Sequence, residues 1–316
     1  MIRRLVGRAA QGLLVLWAVT TATFVLIHAA PGGPAVLADP KLSPVERAAI
    51  ESRLGLDRSL GVQYLRWHGR LLTGDLGDSF LYQTPTLATV LGRLPNTLLL
   101  VTTALVVAIL IAVPVGLAVG QRPGGPFDRI VGVVNFTALA IPPFWFGIVG
   151  ILLLAARWRV LPAGGMMTPG MPADLVDRLR HLVLPAAVLA LPLAAELIRY
   201  LRNAVAATLE ASHLPPARAR GLAGSAILTR HVLRNALLPL LTAIGLQVPL
   251  LVGGAAVTET VFAWPGMGRL GVEAALGRDY PLVMAIALVV AATVVVANFG
   301  LDLLAGWADP RIRSRR

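Results

Sequence analysis

The reactive residues of this chain are informative first for what they fail to assemble. There is no cysteine, so disulfides, thiolate metal sites and cysteine nucleophiles are excluded. Lysine occurs once, as Lys41, and Leu42 follows it. A phosphate-cradling loop needs Gly-Lys-Ser/Thr to reach terminal phosphates, so this chain cannot itself be a P-loop ATPase. His-Glu-x-x-His and Gly-x-Ser-x-Gly are missing as well, which removes the zinc-protease and serine-hydrolase readings. No catalytic, cofactor-binding or metal constellation is expected. What remains is a basic segment shaped for contact: Ala217-Arg218-Ala219-Arg220-Gly221-Leu222, followed by His231-Val232-Leu233-Arg234-Asn235-Ala236-Leu237-Leu238-Pro239. Pro215 and Pro216 fix φ near the helical value and lack an N–H, so a short helix can begin there. Gly221 or Gly224 can end it. On spacing alone the segment reads as a basic loop on anionic headgroups or as a handle for another protein.

Two acids, Glu196 and Asp302, lie within or near spans, where a charge at the bilayer centre costs about 2.5 to 3.5 kcal/mol. Glu196 lies three residues before Arg199, the spacing of an ion pair on one helix face. Snorkelling or a role in substrate passage are the other readings. Asp302 is expected to pair with an arginine.

The elements that carry these residues are helices in a membrane. Of 316 residues 56% are hydrophobic and 14% charged, with a mean hydropathy of +0.75, far from a soluble domain. Six stretches near 9–30, 97–120, 131–155, 182–201, 237–257 and 281–304 are long enough for a hydrocarbon core, which takes roughly 20 helical residues. The first follows Arg3, Arg4 and Arg8 but is as long as a full span, so it is read as a retained helix rather than a signal peptide. The fold class expected is therefore all-α and polytopic. The net charge of +12 is scattered among apolar spans instead of forming one stripe, which argues against nucleic acid. With the N-terminus inside, inner segments hold fifteen basic and five acidic residues, about +10, and outer segments thirteen and eleven, about +2. That asymmetry follows the positive-inside rule and puts both termini in the cytoplasm.

Residues 1–30 form the N-terminus and first span, 31–96 an extracytoplasmic helical segment, and 97–316 a five-helix core with a cytoplasmic loop at 202–236. Within the outer segment, Ser43-Pro44-Val45-Glu46 has the form of a capping box with proline at the first helical position, and Gly55 is a stop. A second helix is expected over 60–72, ending before Gly74-Asp75-Leu76-Gly77-Asp78. This segment is a solvated connector or a surface that meets an external partner. Prolines within spans (Pro114, Pro142, Pro143, Pro185, Pro192 and Pro249) permit kinks. The small residues Gly253, Gly254, Ala255 and Ala256 suit close helix approach.

The 217–239 segment resembles the EAA-type loop of ABC importer permeases, in particular the first, B-type permease of the dipeptide, oligopeptide and nickel branch. Further matches follow in order: Arg3-Arg4 leading to His28-Ala-Ala-Pro31-Gly32; Gly74-Asp75-Leu76-Gly77-Asp78-Ser79; Leu94-Pro95-Asn96-Thr97; His181-Leu182-x-Leu184-Pro185-Ala186; Phe262-x-Trp264-Pro265-Gly266-x-Gly268; and Leu301-Asp302-Leu303-Leu304 through Asp309-Pro310-Arg311-Ile312-Arg313. The resemblance implies the six-helix fold of a type I importer permease in a bacterial inner membrane. It implies that Ala217, Arg218, Ala219, Arg220, Gly221 and Leu222 form a coupling helix seated in an ATPase. The implied partners are a second, homologous permease, two ATP-binding subunits that hold ATP and Mg, and an extracytoplasmic substrate-binding protein. Transport would proceed by alternating access. Pro215, Pro216 and His213 depart from the family, which usually has polar residues and often a tyrosine there. Di- or oligopeptides are the first substrate class, with nickel chelates or glutathione behind. A secondary transporter or channel is the alternative; it would need intramembrane carboxylates and paired broken helices, of which the central parts of these spans supply little.

Overall fold

The computed structural model describes residues 2–37, 40–172, 174–210 and 233–308. The segment 217–222, His231 and the tail from 309 onward lie outside the described residues. Among the described residues the regular elements are all helices, joined by turns and loops, with one isolated bridge between Asp78 and Pro85. It forms two compact units, Met1–Thr97 with Pro265–Val295 and Leu98–Trp264 with Val296–Arg316.

The first unit contains α1 (Ile2–Ala29), α2 (Pro44–Leu54) and α3 (Leu60–Leu72). It also holds the start of α4 (Thr86–Gln121), the whole of α9 (Met267–Leu276) and the first half of α10 (Tyr280–Ala308). The expected capping box starts α2. Ser43 Oγ accepts the Glu46 amide at 3.2 Å, Glu46 Oε2 accepts the Ser43 amide at 2.9 Å, and Gly55 ends the helix at φ 72°. α3 is fastened to α1 through Tyr64, whose hydroxyl accepts Trp17 Nε1 at 3.0 Å and bonds Thr21 Oγ1 at 2.8 Å.

The Gly-Asp-Leu-Gly-Asp-Ser segment then meets the start of α10. Asp279 is fully buried; one carboxylate oxygen takes the Ser79 hydroxyl at 2.5 Å and the Leu81 amide at 3.0 Å, and the other caps the Leu282 amide at 3.2 Å. Three donors satisfy a carboxylate that burial alone would penalise. Beneath it Leu76, Val90, Met267, Leu270, Ala274, Leu282 and Ile286 form an apolar cluster. Two further motifs also prove to be partners. Asn96 Nδ2 donates to the Pro265 carbonyl at 2.8 Å, and Thr97 Oγ1 accepts the Met267 amide at 2.8 Å.

The second unit is built around α7 (Leu175–Glu210), which runs unbroken through Pro185 and Pro192. The most apolar stretch of α7 is 72% buried, against 28% for α4, so α7 is the central helix of this unit. α4 approaches it along a ladder of small residues four apart: Ala104, Ala108 and Ala112 are fully buried, and Gly116 and Gly120 continue the series. A Cβ on Gly116 would lie 2.6 Å from Leu201 Cβ, and one on Gly120 2.6 Å from Val205 Cβ. Only glycine admits that approach, as in small-xxx-small helix pairs in lipid. α8 (Arg234–Val261) adds Leu240, Ala243, Ile244, Val248 and Leu251 to the same core.

Among the described residues four helices are singly long and apolar enough to cross a membrane, or six if each of two bent pairs counts as one span. The expected span at 131–155 is not one straight helix. α5 (Pro126–Ala140) and α6 (Pro143–Gly150), which continues as a π-helical turn over Ile151–Arg157, meet at 95°. Two consecutive prolines explain the break: Pro142 and Pro143 carry no N–H for the ladder, and Ile141 before them is driven to an extended ψ of 128°. The fifth span bends by 41° between Gly253 and Ala255. A Cβ on Gly253 would meet nothing within 4 Å among the described residues of this chain, whereas Ala255 is fully buried.

Candidate functional site at the end of α7

The stretch expected to couple this chain to a motor, Ala217 to Leu222, leaves from the C-terminal end of α7. The described residues show how that end is held. The α4–α5 turn brings Gly125 to the N-cap of α5, with Pro126 in its first turn and Asp128 just inside it. From there Asp128 Oδ2 accepts the Gly124 amide at 2.7 Å, which closes the turn. Arg202 reaches from α7 and binds the same carboxylate with two parallel arms, Nε to Oδ1 and Nη2 to Oδ2, each at 2.6 Å. The Asp128 side chain is 9% exposed and that of Arg202 35%. A bidentate guanidinium–carboxylate pair combines charge with a fixed mutual orientation. On the other side of α7, Leu201 and Val205 are locked against Gly116 and Gly120. The last turns before Glu210 are therefore gripped from α4 and α5 together.

Glu196 and Arg199 sit one to two turns earlier on α7 and pair at 2.7 Å, with Arg199 more exposed and 5.8 Å from the centre of the Tyr200 ring. A groove of about 400 Å³ runs between α5 and α7 and is lined by Asp128, Asn135, Phe136, Leu139, Arg199 and Arg202 among others. Asp302 is exposed on α10 in the same unit and does not line the groove. The six residues 217–222 lie outside the described residues.

Sequence reasoning missed Asp128 as a structural anchor, although an acid in the first turn behind a proline is a helix-start signal. Its partner is 74 residues away, which no local pattern indicates. Sequence reasoning also passed over Glu259, which is fully buried near the end of α8, where its carbonyl accepts the Trp264 amide at 2.8 Å. Among the described residues no group of three or more metal-ligating side chains is present.

Within the first unit the quoted motifs pair with one another, and within the second α7 is clamped where a basic segment follows in the chain. Residues 112–314 match the family model "Binding-protein-dependent transport system inner membrane component", and residues 1–101 match the N-terminal model of the same systems. This chain belongs to that family. It is 39% identical over 314 residues, 99% of either chain, to the oligopeptide transport system permease protein AppB of Bacillus subtilis. It is 33% identical to the dipeptide transport system permease protein DppB of Escherichia coli K12, over 94% of this chain and 95% of that one. A solved structure of the MetNI methionine ABC transporter, facing inward, superposes with a TM-score of 0.53 at 21% identity, covering 70% of this chain and 96% of that one. That likeness concerns the fold, which is that of a type I ABC importer permease.

Proposed function

We propose that this chain is one half of the transmembrane pore of an ATP-driven importer of di- and oligopeptides. The observation that carries the reading is the end-to-end similarity to peptide permeases. The second half would be a homologous permease, and the work would come from two separate ATP-binding subunits, since Lys41 sits in no phosphate-binding loop. The excess of arginine on one set of loops supports an orientation with both termini and the 202–236 loop in the cytoplasm, where those subunits would dock. An extracytoplasmic binding protein would deliver peptide to the other face.

The mechanism is alternating access. Closure of the ATPase dimer displaces the segment formed by Ala217, Arg218, Ala219, Arg220, Gly221 and Leu222, and the displacement enters the bundle through α7 and α8, which bracket that segment. The clamp of Asp128 on Arg202 makes α5 move with α7. Glu196 and Arg199 would steady the same face of α7, and Asp302 would anchor the end of α10.

The test is reconstitution of this chain with the homologous permease, the ATPases and the binding protein in proteoliposomes. ATP-dependent accumulation of a labelled tripeptide, abolished when the binding protein is left out, is the expected result. Accumulation driven by an ion gradient without ATP would overturn the assignment.

A further inference from the structure

A second feature of the first compact unit carries unassigned chemistry. A cleft of about 330 Å³ opens between the C-terminal ends of α1 and α2, one face of α3, the 76–80 segment and the start of α10. Three guanidinium groups, those of Arg53, Arg66 and Arg70, line it against a single carboxylate, Asp78. Arg53 and Arg66 have no carboxylate within 4 Å among the described residues, and Arg70 has only Asp75, at 3.8 Å. Arg202 and Arg269, by contrast, each close on an acid. Here the positive charge is left open over an apolar floor that includes Phe24 and Met284. Trp67 also lines the cleft, and its indole N–H is buried without a hydrogen-bond partner among the described residues.

We infer that this cleft binds the terminal carboxylate of a short peptide, with Arg53, Arg66 and Arg70 as the charged contacts and the apolar floor receiving the last side chain. Planar guanidinium forks match a carboxylate in both charge and geometry. The volume suits a di- or tripeptide and excludes a folded domain. The inference rests on the peptide-importer reading above and adds to it a holding site on this subunit, on the face where peptide arrives.

The experiment measures intrinsic tryptophan fluorescence of the purified permease complex in nanodiscs, without ATP and without binding protein. Trialanine is titrated against trialanine amide. Saturable quenching by trialanine is expected, absent in Trp67→Phe, with affinity at least about tenfold weaker for the amide and for Arg66→Gln. Arg66 is exposed, so that variant keeps the fold; equal affinity for acid and amide, or unchanged affinity in Arg66→Gln, would overturn the inference. Ligand-free binding protein is added in a separate arm. If it alone changes the fluorescence while trialanine does not, the arginines answer to an acidic side chain of that protein and the inference is wrong. Because neither arm involves transport, the outcome is independent of the uptake experiment: peptide uptake can stand with this cleft refuted, and the cleft can bind carboxylates where uptake fails.

Discussion

Arg202 holds Asp128 through both guanidinium arms at 2.6 Å, across 74 residues of chain, at the point where α7 is about to leave for the 211–232 segment. The pair ties the α4–α5 turn to one of the two helices that bracket the expected coupling segment.

Breaking this pair should loosen the end of α7. Asp128→Ala leaves a partly buried guanidinium unmatched, an effect between the roughly 1 kcal/mol of an exposed pair and the roughly 3 kcal/mol of a buried one. The same loss is expected for Arg202→Ala, and the double variant should be less destabilised than the two single losses summed. Thermal unfolding in detergent checks both expectations; strictly additive losses would show that the two side chains act independently.

The α4–α7 contact makes a sharper steric prediction. Gly116→Val and Gly120→Val place atoms where Leu201 and Val205 already stand, 2.6 Å from the first added carbon. Overpacking of this kind costs typically 1 to 3 kcal/mol or prevents assembly. Gly92 and Gly132 have nothing within 4 Å of an added Cβ, so Gly92→Ala and Gly132→Ala should be neutral or slightly stabilising through helix propensity. The yield of monodisperse protein on size exclusion separates the two groups.

The start of α2 should respond to acid. Hydrogen bonding from the Ser43 side chain and then from its backbone N–H holds the Glu46 carboxyl below its ordinary value of 4.5. A depressed folded value means that the contribution of Glu46 is complete above that ordinary value and disappears as pH falls through the lower one. Hydrogen-exchange protection of the first-turn amides of α2, corrected for intrinsic rates, should therefore persist through neutral pH and fade only in strong acid. In Ser43→Ala, where a cap worth about 1 kcal/mol is gone, protection should already be reduced at neutral pH.

Much of this arrangement was legible in local chemistry. The capping box at Ser43, the stop at Gly55 and the second short helix over 60–72 stand where their residues call for them. Pro142 and Pro143 signalled a kink, but its 95° size depends on what the two halves pack against, which is not a property of two prolines. The quoted motifs were visible one by one; that Asn96 bonds Pro265, or that Ser79 bonds Asp279, is a long-range fact that only folding expresses. Glu259 was passed over because it falls at the end of a span, where an acid reads as solvated, whereas it is fully buried. The grouping of Pro265–Val295 with the N-terminal residues likewise follows packing and not chain order.

The central claim is that a separate ATPase drives this chain through the segment from Ala217 to Leu222. It is tested most directly by measuring binding-protein-stimulated ATP hydrolysis together with peptide uptake in a reconstituted complex carrying Gly221→Glu or Arg218→Glu, with assembly verified by co-purification of all subunits. The account predicts that stimulated hydrolysis and uptake are both lost while the complex remains intact. Full retention of both activities in the intact variant complexes would contradict it.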